Sequence, residues 1–171
     1  SLELPVGAGW YAAEPEYTCT ASGAWCYLRP TTDEEPTILE LVVSAPHPDL
    51  ARNPLHLEVR VGAQTIGSTF LTTPWEPRQL FFPIPEQGSI LGAARELDWT
   101  GWARPRMVEL RVDRTYRPDT LFQDGRDPRD IGVAVHRMGI GTMVEAREWA
   151  AEGIGVDDPS LRLREHAAFL E

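Results

Sequence analysis

The 171-residue chain has no lysine; all 16 of its basic residues are arginine. That excludes a Walker-type phosphate loop, a Schiff-base enzyme using its own lysine, and the strand lysine of a kinase. Positive charge is scarce overall. Against 26 acids the net charge is −10, which argues against nucleic acid and anionic membrane as partners, since both select a basic face. Long apolar runs are missing as well. No stretch approaches a membrane span and no signal-peptide pattern opens the chain, so no membrane insertion is expected, and a cytoplasmic location is.

Catalytic signatures are equally sparse. No serine stands in a Gly-x-Ser-x-Gly elbow, and His47, His56, His136 and His166 fall at no ligand or acid–base spacing. No cofactor motif is present and none is expected. Paired carboxylates for glycoside chemistry are recognised by distance, not by sequence, so a small enzyme stays open as a reading.

There are only two cysteines, Cys19 and Cys26. A two-residue turn at Ser22–Gly23 pairs Ala21 with Ala24 and Cys19 with Cys26. Both sulfurs then lie on one face, with Cα atoms about 5.5 Å apart, within bridging range. A large domain without a secretion signal favours reduced thiols, and free thiols are the expectation.

What the chain does have is turn residues and alternation. Fifteen Pro and 14 Gly fall between short apolar runs, and 42% of residues are hydrophobic, enough for a core. Leu55, Leu57, Val59 and Val61 alternate with polar residues, as do Val108, Leu110 and Val112, so each strand has one buried face. Leu39, Leu41 and Val43 continue the pattern from about Thr37 to Ala45, where Ile38 and Val42 imply cover on the second face too. Gln64–Leu71 and Gln79–Ile84 read as strands, with Phe81 and Phe82 on opposite faces. Ile131, Val133 and Val135 form another run, which slips to Met138 and Ile140 and so predicts a bulge at His136–Arg137. Ser89–Leu97 reads as a short inserted helix, Met143–Trp149 as a tail helix anchored by Trp149, and Ser160–Leu170 as a second.

The fold class expected is all-β: an antiparallel two-sheet sandwich, jelly-roll-like, with a short inserted helix and a helical C-terminal tail. The sandwich spans residues 5–141 and the tail 142–171.

Six tryptophans supply the candidate binding surface. Aromatic faces on loops stack against the C–H faces of sugars. Trp75, held between prolines, and the pair Trp99 and Trp102 are the exposed candidates, with Trp10 and Tyr116 beside them. Asp124, Asp127 and Asp130 recur every third residue on a glycine-containing loop, the pattern of an oxygen-ligand calcium site. Arg126 and Arg129 interleave and neutralise them. The loop is read as polar, with local ion pairs and no metal.

Two segments carry a resemblance. Gly9-Trp10-Tyr11 with Glu14 and then Trp25 resembles the opening of the carbohydrate-binding-module-like β-sandwich accessory domains of bacterial glycosyltransferase and polysaccharide-biosynthesis proteins. Val108–Val112, Arg117-Pro118 and Asp127-Pro128-Arg129-Asp130-Ile131-Gly132-Val133-Ala134-Val135 resemble their closing strand pair. The resemblance covers residues 5–141. It implies that Gly9, Trp10, Glu14, Trp25, Arg129, Asp130 and Gly132 lie where the first and last segments meet, with Glu14 and Arg129 as a structural ion pair. It also implies a non-catalytic module that binds a glycan or sugar-containing acceptor weakly, beside a glycosyltransferase or related catalytic domain of a larger bacterial protein. Two alternatives stand next to it. A ligand-free structural or dimerisation module would use the second faces of Ile38/Val42 and Phe82, and a small glycan-processing enzyme would use a cleft of convergent acids.

Overall fold

The computed structural model describes residues 7–30, 32–85, 105–118 and 128–154. Eight strands and one helix are formed there: β1 (Ala8–Ala13), β2 (Thr18–Leu28), β3 (Ile38–Ser44), β4 (Leu55–Val61), β5 (Gln64–Leu71), β6 (Arg78–Pro83), β7 (Arg106–Val112), β8 (Ala134–Gly141) and α1 (Met143–Glu152). Every strand pair is antiparallel. The hydrogen-bonded order is β5-β4-β7-β2-β8-β3-β6, with β1 on β2. The fold is all-β with one short helix.

The long β2 joins two arms. Its Gly23–Leu28 half pairs with β7, and its Thr18–Cys19 end pairs with β8. The far strands β5 and β6 then approach one another, so the sheet curls into a nearly closed barrel. Arg78 spans the seam, its Nη1 donating to the Phe70 carbonyl at 2.9 Å.

The alternation read from the sequence builds the interior. Leu55, Leu57, Val59, Val61, Val108 and Leu110 are buried, packing on Leu39, Leu41, Val43, Met138 and Ile140. Each such side chain contributes about 1.5–3 kcal/mol by leaving water. The bulge on β8 is present: Val42 faces Arg137 and Val43 faces Val135, leaving His136 as the extra residue. Phe82 points inward and is buried, while Phe81 is half-buried.

The second face of β3 is covered from within the chain. Thr142 and Glu145 form a reciprocal capping box that starts α1, and Trp149 is buried over Gly141. Beneath the helix, Glu40 and Arg137 form a buried ion pair at 2.8 Å. Gln79 Nε2 donates to Glu40 Oε2 at 2.8 Å and to the Trp149 carbonyl at 2.9 Å. The faces that motivated a dimerisation module are thus occupied: Val42 is buried and Phe82 belongs to the interior.

Two expectations are corrected. There is no hairpin at Ser22–Gly23, because β2 runs straight through it, and Cys19 faces Ala134 while Cys26 faces Val108. Seven residues of one strand separate the sulfurs, roughly 23 Å at strand rise, beyond any bridge. Neither cysteine is in a disulfide, and both are buried. The run at Ile131–Val135 is also shorter than read: Ile131 makes a single bridge to Tyr116, and the strand begins at Ala134. The inserted helix at 89–97 and the second tail helix at 160–170 lie outside the described residues.

Candidate functional site

Strand register gathers the chemistry-bearing residues at one end of the barrel, where Thr18, Ser44, Leu55, Val112 and Ala134 sit. There the β5–β6 loop brings up Trp75. Its N–H donates to the Ala45 carbonyl at 2.8 Å, and its backbone stands at φ 57°, a left-handed conformation unusual for a bulky residue. The indole is 47% exposed. Its ring leans on Tyr17, centroids 5.4 Å apart and planes tilted by 50°. Tyr17 in turn lies 5.7 Å from the His136 ring. The bulge explains the histidine's position: one extra residue in β8 turns His136 toward the Tyr17 ring.

Ser44 Oγ and His136 Nε2 are 2.8 Å apart, and the Glu16 backbone holds the same ring. Burial lowers the histidine pKa against the opposing pull of Glu16, so the ring is neutral at pH 7. A serine–histidine contact of this kind is the geometry of a nucleophile and its base. Ser44, however, is 0% exposed, which leaves an acyl substrate no approach.

The turn from Glu14 to Tyr17, closed by the Glu14 N–H on the Tyr17 carbonyl at 2.8 Å, links this cluster to a second set. Arg129 Nη2 lies 3.4 Å from Glu14 Oε1, and its guanidinium sits 5.4 Å from the Tyr11 ring centroid. The Tyr11 hydroxyl donates to the Asp130 carbonyl at 2.9 Å. The first and last segments therefore meet at this point. Two glycines allow it. A Cβ on Gly9, at φ 87°, would stand 2.0 Å from the Gly23 carbonyl oxygen, and one on Gly132 would stand 2.3 Å from that of Ala21. The Tyr17 hydroxyl is held above its usual pKa by burial first, then by Cys19, Glu14 and Glu16.

Of the other candidates, Trp10 is half-buried against the core, and its indole N–H donates to the Trp25 carbonyl at 3.0 Å. Tyr116 belongs to a separate cluster, packed 5.8 Å from the His47 ring. His47 is buried with neither ring nitrogen in good hydrogen-bond geometry, and Arg114 Nη1 beside it is likewise unpartnered. Burial and then the Arg114 charge lower the His47 pKa. Arg114 Nη2 ties Asp49 at 2.8 Å and the Asn53 carbonyl at 2.6 Å. Trp99 and Trp102 lie outside the described residues.

Of the calcium candidates, Asp124 and Asp127 also lie outside the described residues. Asp130 gives both carboxylate oxygens to Arg117, each at 2.9 Å, and that hydrogen bonding holds its pKa below the usual carboxylate range. Among the described residues, no group of three or more acidic, histidine or cysteine side chains is placed to hold a metal ion. Nor is any helix there long and apolar enough to cross a membrane.

Tyr17 and His136 were not singled out from the sequence. The bulge at His136 was legible, and an extra residue that re-aims a side chain is the signal that could have found it. No family model matches the chain, and no curated protein matches it.

Proposed function

We propose that the chain is a non-catalytic, carbohydrate-binding-like accessory domain of a larger bacterial glycosyltransferase or cell-surface polysaccharide-biosynthesis protein. In this reading the arms β5-β4-β7 and β6-β3-β8 are the two sheets of a jelly-roll-like sandwich that share β2. The partner is a glycan or sugar-containing acceptor, held weakly, and the neighbouring domain of the full-length protein is catalytic.

One observation supports the reading above others: an exposed tryptophan held in a left-handed backbone conformation against a second aromatic ring. Such a conformation costs about 1–3 kcal/mol, and surrounding structure maintains it where a side chain has to be presented. The indole face, the Tyr17 ring and the polar groups of Glu14, Arg129 and Asp130 form a platform of the composition that sugars select. The sealed Ser44 speaks against a serine-nucleophile enzyme at this contact; a small glycan-processing enzyme would instead rest on a cleft of convergent acids.

The test is a glycan array followed by calorimetry on the best ligand. Dissociation constants on the order of 10 μM to 1 mM are expected, by affinity arithmetic for one or two stacking contacts. Trp75→Ala should abolish the binding and leave the thermal melt within a few degrees of the parent. An array without hits, or binding indifferent to Trp75→Ala, would overturn the proposal.

A further inference from the structure

We infer that the Trp75–Tyr17 platform selects a sugar carrying a protonated amine, an amino-hexose unit of a polysaccharide, stacked on the Trp75 indole with its ammonium group toward the carboxylates at the rim. The inference rests on the glycan-binding reading above and names the ligand class of that site.

The charge around the two rings carries it. Glu16 precedes Tyr17 and Glu76 follows Trp75; both are exposed, and neither enters an ion pair among the described residues. The Glu16 charge reaches both Tyr17 and His136. Of the nearby arginines among the described residues, two are occupied by carboxylates and a third is held at the seam. Arg129 is shared between Glu14 and the Tyr11 ring, Arg117 holds Asp130, and Arg78 is turned to the Phe70 carbonyl across the seam. His136 adds no charge at neutral pH. Among the described residues, Glu14, Glu16, Glu76 and Asp130 outnumber Arg78, Arg117 and Arg129, so the rim they form is net negative on a chain of net charge −10.

That field discriminates between sugars that stack alike. A uronate or a phosphorylated sugar is repelled, a neutral hexose is unaffected, and an ammonium group is attracted. Tryptophan is the strongest of the aromatic side chains for a cation on its face. The rings of Trp75 and Tyr17 touch, so no slot opens between them, and the cation is received on the open side of the indole. Because the site is exposed, the advantage is modest, about tenfold over the neutral analogue.

The experiment uses the full 171-residue chain and three tetrasaccharides: glucosamine, N-acetylglucosamine and a uronic acid. Binding is read by tryptophan fluorescence and calorimetry in low-salt buffer at neutral pH, where a share of the free amines is protonated and His136 stays uncharged. The glucosamine tetramer is expected to bind about tenfold tighter than its acetylated form, with the gap closing in high salt. Glu16→Gln combined with Glu76→Gln should also close the gap while leaving the acetylated ligand's affinity unchanged. Trp75→Ala should remove binding of both. Equal or tighter binding of the acetylated or uronic tetramer would overturn the charge preference and leave the glycan reading standing. Glucosamine binding that survives Trp75→Ala would show diffuse attraction to an acidic surface and overturn the inference in the same way. If none of the three binds and the array is also empty, the underlying reading falls with it.

Discussion

Glu40 and Arg137 meet at 2.8 Å on neighbouring strands, buried beneath the helix whose C-terminal carbonyl Arg137 helps to satisfy. Arg137 Nη2 donates both to Glu40 Oε2 at 3.0 Å and to the Gly153 carbonyl at 2.7 Å. One guanidinium thus fastens the helix end to the sheet and supplies a donor to carbonyls that a helix terminus leaves open.

Removing one partner should therefore cost far more than removing both. Arg137→Met leaves the Glu40 carboxylate buried without its cation and is expected to destabilise the fold by about 3–5 kcal/mol, whereas Glu40→Leu with Arg137→Met should recover most of that loss. Urea melts of the two single variants and the double variant give the coupling directly. Simple additivity would mean that the pair is not the unit described.

This pair also shows where the sequence stopped being informative. The alternation at Leu39, Leu41 and Val43 placed β3, and the slip after Val135 placed the bulge, because both are local patterns with a period. Glu40 lies inside the same pattern, but its partner is 97 residues away, and no local signal records a contact of that range. The Trp75 platform is distributed in the same way over residues 17, 75 and 136, so only Trp75 could be nominated in advance. The false hairpin has a different cause. Ser22–Gly23 is good turn chemistry, yet β2 continues through it, and the close approach of β1 to β2 depends on Gly9 rather than on Gly23.

Facing glycines on those two strands make a sharp comparison. A Cβ at Gly23 meets nothing within 4 Å, whereas one at Gly9 collides with backbone at 2.0 Å. Gly23→Ala should be neutral or stabilising by up to about 1 kcal/mol, through the reduced entropy of the unfolded chain. Gly9→Ala should cost more than about 1 kcal/mol and loosen β1, visible as faster amide exchange at Trp10 and Tyr11. If Gly23→Ala proves the more damaging, the straight course of β2 is wrong.

Stability should fall on mild acidification. His47 and His136 both have folded-state pKa values below 6.5, chiefly through burial. Below 6.5 the unfolded chain takes up protons that the folded one does not, so stability declines as pH falls from about 7 until the depressed values are reached. His47→Leu removes one of these groups together with two unpartnered ring nitrogens. Its melts should be within about 1 kcal/mol of the parent at pH 8 and less steep toward pH 5. A variant slope equal to the parent's would exclude His47 as a source.

The cysteines give the last and simplest test. Cys26 is fully buried in the main core, and burial pushes its thiol pKa far up. Cys19 is equally buried, in a separate small cluster with Ile131 and Ala134. Alkylation requires a thiolate in contact with solvent, so both should resist iodoacetamide in the native protein and react promptly in denaturant. Because the two sit in different clusters, their protection need not be equal. Cys19, under the short segments around residues 17 and 131, should become reactive through local opening at denaturant concentrations where Cys26 is still protected. Mass spectrometry without reductant should find no bridge between them. Simultaneous loss of protection across the whole titration would mean that both clusters open only in global unfolding, and a detected bridge would contradict their placement on one strand.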